Sequence, residues 1–105
     1  MTKVVEQSYW KLVEGQRERF DEACKELVAI GKSEFNCEVT YGAVQNGPQA
    51  GNFLFIFTYP DGASFGKYID TYRTNATWQA FMKKYGENPI DEQVGDTEQI
   101  GRAHV

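Results

Sequence analysis

The sequence has a single histidine, His104, one residue from its end, so any general-base or imidazole-ligand role has one candidate. With no clustered carboxylates to join it, no credible metal-ligand set is present. The two cysteines, Cys24 and Cys37, have no CxxC or other metal-like spacing; they read as reduced, buried thiols that pack as small hydrophobes. No run of Lys or Arg is long enough to follow a phosphate backbone, and the formal net charge is −4, so nucleic acid is not an expected partner. The opening MTKVVEQSYW breaks its apolar residues with Glu6, Gln7 and Ser8, leaving neither a signal-peptide core nor a membrane span. A cytoplasmic location without a membrane partner is expected. Gly42, Gly47, Gly51 and Gly62 are spaced for turns and close strand packing rather than for cradling phosphate, so no nucleotide cofactor is indicated, nor any other cofactor.

Aromatic residues, by contrast, are plentiful: seven Phe, six Tyr and two Trp make up 14% of the chain. Large rings therefore do much of the packing, or line a pocket. At 105 residues the chain reads as one domain, 1–105, that buries about two-thirds of its unfolded surface.

Residues 3–13, KVVEQSYWKLV, read as a strand with apolar side chains on both parities: Val4, Trp10 and Leu12 against Val5, Tyr9 and Val13. After Gly15, the residues Phe20, Ala23, Cys24, Leu27 and Ile30 recur at helical steps, predicting an amphipathic helix that stops near Gly31. Its charge run from Gln16 to Glu26 reads as a solvated face. Residues 37–44 alternate as a half-buried strand, and QNGPQAG is a loop. A strongly apolar strand, GNFLFIFTYP, follows and ends at Pro60-Asp61-Gly62. Phe65, Tyr68, Ile69 and Tyr72 then mark a helix face. A break near residues 73–75 offers Thr74 or Asn75 as a new N-cap, and Trp78, Phe81, Met82 and Tyr85 continue the helical pattern to Gly86. The segment 87–96 reads as irregular and 97–105 as a last strand. The order β-α-β-β-α-β predicts an α+β, ferredoxin-like fold: a four-stranded antiparallel sheet with its helices on one face.

Helices on one face leave the other uncovered. Residues Phe53, Phe55, Phe57 and Tyr59 point one way and Leu54, Ile56 and Thr58 the other, so neither face of the third strand suits water. A homodimer that stacks two uncovered sheet faces is the simplest solution. Which parity meets the helices stays open at this level.

The element order, the hairpin GPQAGNFLFIFTYPD, the helix start SFGKYIDTY and the segment ATWQAFMKKYG together resemble the dimeric α+β barrel superfamily. That group includes antibiotic-biosynthesis-monooxygenase-like domains and many uncharacterised relatives, and the likeness spans nearly the whole chain. It implies two sheets meeting back to back, a cavity in each monomer between sheet and helices, and, from the named branch, cofactor-free oxygenation of phenols. The haem-degrading branch uses an Asn, a Trp and a His on the second helix. Trp78 matches the Trp, but that helix lacks a His and the first strand lacks an Asn, so haem degradation is not expected.

Such a cavity would be walled by Trp10 or Tyr9, Tyr41, Phe55 and Phe57 from strands and by Tyr68, Tyr72, Trp78, Phe81 and Met82 from helices. The same rings could instead fill a solid core. Tyr and Trp, however, need partners for their polar atoms, and several converging on one place suit an apolar pocket with a few polar handles. Arg102 and His104 share a parity on the last strand; facing the cavity, they would hold a carboxylate or phenolate. His104 reads more readily as an edge residue, and it is the only candidate for a catalytic role. The expected ligand is an apolar or amphiphilic small molecule, fatty-acid-like or polyketide-like.

Overall fold

A computed structural model describes the backbone of residues 2–104 and the side chains of residues 2–95. The elements are β1 (Thr2–Leu12), α1 (Arg17–Phe35), β2 (Glu38–Ala43), β3 (Phe53–Tyr59), α2 (Gly62–Thr71), α3 (Ala76–Gly86) and β4 (Asp91–His104). The strands form one antiparallel sheet in the order β2-β3-β1-β4. This is the α+β, ferredoxin-like arrangement expected, with its second helical region in two pieces.

The pairings Val4 with Tyr59, Ser8 with Phe55 and Trp10 with Phe53 put these residues, and Glu6 between them, on one face of the sheet. That face meets the helices. The Phe20 ring of α1 lies 4.7 Å from Phe53 and 6.1 Å from Phe55, and Phe65 of α2 lies 5.2 Å from Tyr59. Val4, Phe20, Cys24 and Tyr59 are the most completely buried large side chains. The Phe53, Phe55, Phe57 row therefore lies beneath the helices. Val5, Tyr9, Leu54 and Ile56 occupy the opposite face, half-buried, and among the described residues no helix covers them.

Both cysteines are buried and unbridged. Burial pushes the Cys24 thiol up to about 12 and the Cys37 thiol up to about 11, with nearby acidic groups adding to the effect.

Helix α1 does not stop at Gly31 as its glycine suggested. It continues one turn to Phe35 and closes on Asn36, whose φ of 50° is left-handed; the Cys37 N–H donates back to the Gly31 carbonyl at 2.9 Å. Gly31 is a packing residue: a Cβ there would stand 2.8 Å from Val39 Cγ2 and 3.1 Å from the Cys37 carbonyl oxygen. Its missing side chain lets α1 lie against the start of β2.

A side-chain cap starts each of α2 and α3. The Asp61 carboxylate accepts from the Ser64 N–H at 2.7 Å, and the Asn75 side chain accepts from the Trp78 N–H at 2.9 Å. Asn75 also donates to Glu34 of α1 at 3.1 Å, so one residue starts α3 and ties it down. At the far end, Arg19 donates to the carbonyls of Asn88 (2.7 Å) and Lys84 (3.3 Å), and Lys84 pairs with Glu26 at 2.7 Å.

The last strand is longer than its pattern suggested: pairing with β1 begins at Asp91, inside the segment read as irregular. The register slips between Gln7 and Tyr9, where residues 95–97 stand opposite Ser8, and Gly95 takes a φ of 76°. A bulge of this kind destroys the alternation by which a strand is recognised. Among the described residues, no helix is long and apolar enough to cross a membrane.

Candidate functional site

The helices do not close fully onto the sheet. Between them lies a cavity of about 600 Å³, a volume in the range of small-molecule sites. Its sheet side is made by Trp10 of β1 and by Phe55 and Phe57 of β3. Its helix side is a continuous run of rings. Tyr72 stacks on Tyr68 at 5.2 Å, Tyr68 and Trp78 both meet Phe35 edge-on at 5.0 and 5.9 Å, and Trp78 stacks on Phe81 at 5.6 Å. Helical spacing in α2 and α3 supplies these rings, and the break between the two helices turns the second set towards the first.

Three polar side chains join this apolar wall. Ser8 is buried, 4% exposed, and accepts a hydrogen bond from Trp10 Nε1 at 2.8 Å, which satisfies the indole. Glu6 lies two residues before it on the same face, and burial raises its carboxyl above the ordinary range. Asp91, at the start of β4, is pushed up to about 6 by burial. The Glu6 charge is felt by Cys37, Tyr59 and Tyr68, and it adds to the burial that raises all three. Among the described residues, neither Glu6 nor Asp91 has a hydrogen-bond donor or an ion-pair partner. Among the same residues, no group of three or more His, Cys, Asp or Glu side chains could hold a metal.

Of the residues expected at the site, Trp10, Phe55, Phe57, Tyr68, Tyr72, Trp78, Phe81 and Met82 line the cavity. Tyr41 does not. It stacks on Phe55 at 5.5 Å but sits 43% exposed on β2, an edge strand, outside the cavity wall. The side chains of Arg102 and His104 lie outside the described residues; their backbones pair with Val4 and Thr2. Glu6 and Asp91 were missed. Glu6 shares the parity of Val4, Ser8 and Trp10, so the strand's own alternation was signal enough to place it. Asp91 had no such signal, because the bulge hides the strand it begins.

No family model matches the chain, and comparison with curated proteins gives no match. Solved structures do resemble it. A NIPSNAP family protein of unknown function from Agrobacterium tumefaciens superposes with a TM-score of 0.68 at 16% identity, covering 94% of this chain and 86% of that one. A conserved protein of unknown function from Bacteroides thetaiotaomicron, described as a possible oxidoreductase, gives 0.63 at 16% identity over 94% and 98%. A provisionally assigned monooxygenase from Lactobacillus acidophilus gives 0.67 at 16% identity; it covers 95% of this chain, which spans only 44% of that protein. The structural neighbours of this chain are thus NIPSNAP-type and monooxygenase-like proteins, and at these identities what it shares with them is the α+β, ferredoxin-like fold.

Proposed function

We propose that this chain is a small-molecule-binding protein of the dimeric α+β barrel type, holding a flat and largely apolar ligand between its sheet and helices. The observation that carries the reading is the cavity of about 600 Å³ walled by stacked rings. A protein whose only task was to fold would close such a space, since unfilled volume forfeits dispersion contacts and costs stability. The half-buried row of Val5, Tyr9, Leu54 and Ile56 on the uncovered sheet face supports pairing of two copies back to back.

A second reading makes the same cavity a reaction site for cofactor-free oxygenation of phenols. Two observations favour it: the descriptions carried by two of the structural neighbours, and the cavity-facing Glu6 carboxylate, whose raised pKa makes it a stronger base for a phenolic proton. Native mass spectrometry of the protein purified from cells tests the main reading. The expected species is twice the chain mass with a retained organic molecule. A monomer at micromolar concentration overturns the dimer. A bare protein that also fails to take up a neutral naphthalene probe overturns the cavity as a binding site and leaves a structural or regulatory dimer. Oxygen consumption with aromatic hydroxy compounds separates an oxygenase from a carrier.

A further inference from the structure

We infer that Glu6 is the group that selects the cavity's ligand, and that it selects for a hydrogen-bond donor, a phenolic hydroxyl or a protonated amine on an aromatic frame, and against a carboxylate. The inference rests on the cavity reading above and gives it a ligand class.

The argument begins with what surrounds Glu6. It stands on β1, a central strand, between Phe57 on one neighbouring strand and the backbone of Gln99 on the other. Its side chain lines the cavity and is half-buried. Among the described residues, the titratable groups that face it are the Cys37 thiol leading into β2, the Tyr59 hydroxyl of β3 and the Tyr68 hydroxyl of α2. Burial raises all three, so they stay neutral near pH 7 and none balances the carboxylate charge. A half-buried carboxylate with no partner among the described residues is a cost to the fold. Cavity occupants that donate a hydrogen bond remove that cost, and occupants carrying a second carboxylate double it.

The rest of the wall has the same sign preference. Asp91 lies six residues further along β1, opposite Leu12, roughly 20 Å away at the rise of an extended strand. It is again unpaired among the described residues. Tyr68, Tyr72, Trp78 and Phe81 line the same cavity, and aromatic rings attract cations through their negative faces. Among the described residues lining the cavity there is no Lys, Arg or His. Apolar surface therefore supplies affinity for any flat ligand, and the polar groups sort ligands by charge and donor capacity. A carboxylate, one of the two ligands that Arg102 and His104 suggested, does not suit the lining that the described residues form.

Isothermal titration calorimetry with naphthol, naphthylmethylamine and naphthoate separates the possibilities, because the three share one apolar frame. Naphthol and the protonated amine are expected to bind about tenfold or more tightly than naphthoate, the range for a hydrogen bond to a charged group. Glu6→Gln keeps the side chain's size and removes its charge. It also removes a half-buried carboxylate that has no partner among the described residues, so the variant is expected to fold. In it the amine is expected to lose its advantage and the three affinities to converge within about threefold. Naphthoate binding as tightly as naphthol to the wild-type protein overturns the inference and leaves the cavity reading standing. An unchanged order in Glu6→Gln does the same. If none of the three binds, the inference and the cavity reading fall together.

Discussion

Replacing Gly31 with Ala tests the packing of α1 on the sheet, because helix propensity and tertiary contact predict opposite signs. In a helix interior, Ala is favoured over Gly by about 1 kcal/mol. If Gly31 only marked a helix end, the substitution would be neutral or stabilising. In the structure Gly31 lies within α1, and the added Cβ would stand 2.8 Å from Val39 Cγ2 and 3.1 Å from the Cys37 carbonyl oxygen. Neither neighbour yields easily. Val39 is β-branched, 6% exposed and held in a paired strand, and the Cys37 peptide carries the hydrogen bond to Gly31 that closes the helix. Overpacking of this kind costs about 1–3 kcal/mol. Since two contacts are too short, the upper part of that range applies, leaving a net loss of about 1–2 kcal/mol after the propensity gain. That corresponds to a fall in Tm of roughly 5–10 °C for a chain of this size. Urea unfolding followed by tryptophan fluorescence reads the change directly. In a Val39→Ala background the closest contact disappears, so Gly31→Ala should cost less there, and the double-mutant cycle should report favourable coupling between the two substitutions. A stability increase from Gly31→Ala in the wild-type background would refute the claim that this glycine is a contact.

Asp91→Asn should stabilise the protein at alkaline pH. Burial raises the folded carboxyl to about 6 from 3.8, so the folded chain binds the proton more tightly than the unfolded chain. Stability is therefore highest below 3.8 on this account, and falls as pH rises towards 6. With the solvent screening of a part-exposed group discounted, the variant gains about 1–2 kcal/mol near pH 8 and flattens the slope of stability against pH. An unchanged denaturation midpoint at pH 8 would contradict this. Cys24 and Cys37, with thiols pushed up to about 12 and about 11, should react with Ellman's reagent only slowly in native buffer and both at once in denaturant; fast native reaction would show an accessible thiolate. Asn75→Ala, which removes the α3 cap and the bond to Glu34, should lower unfolding free energy by about 1–2 kcal/mol in a urea titration. Ile56→Lys places a charge on the uncovered sheet face and should halve the mass measured by light scattering if two copies meet there; a dimer that survives it pairs by another surface.

Element order was legible because period carries it. The short apolar run in GNFLFIFTYP, bounded by turn residues, and the three- and four-residue steps of Phe20, Ala23, Cys24 and Leu27 survive whatever the elements pack against. Where one residue type serves two ends, reading failed: Gly31 could stop a helix or admit a neighbouring strand, and only the position of Val39 distinguishes these. The first half of β4 failed for a different reason. Its bulge opposite Ser8 sets residues 95–97 against one partner residue, and no alternation remains to be read. The aromatic cavity wall was largely legible, since Tyr68, Tyr72, Trp78 and Phe81 follow helical spacing. Tyr41 shares the parity of the wall residues but sits on an edge strand, beyond the reach of the helices that close the cavity.

The amino-acid sequence by itself determined the α+β element order, the two-faced third strand and the richness in rings, all of which follow from local periodicity and composition. Only the tertiary structure decided which face of that strand meets the helices, that a cavity stays open beneath them, and that Glu6 and Asp91 line it. These depend on strand register and on helices meeting residues far away in the chain, and a one-residue change of register would exchange the two faces of the sheet while leaving every local pattern intact.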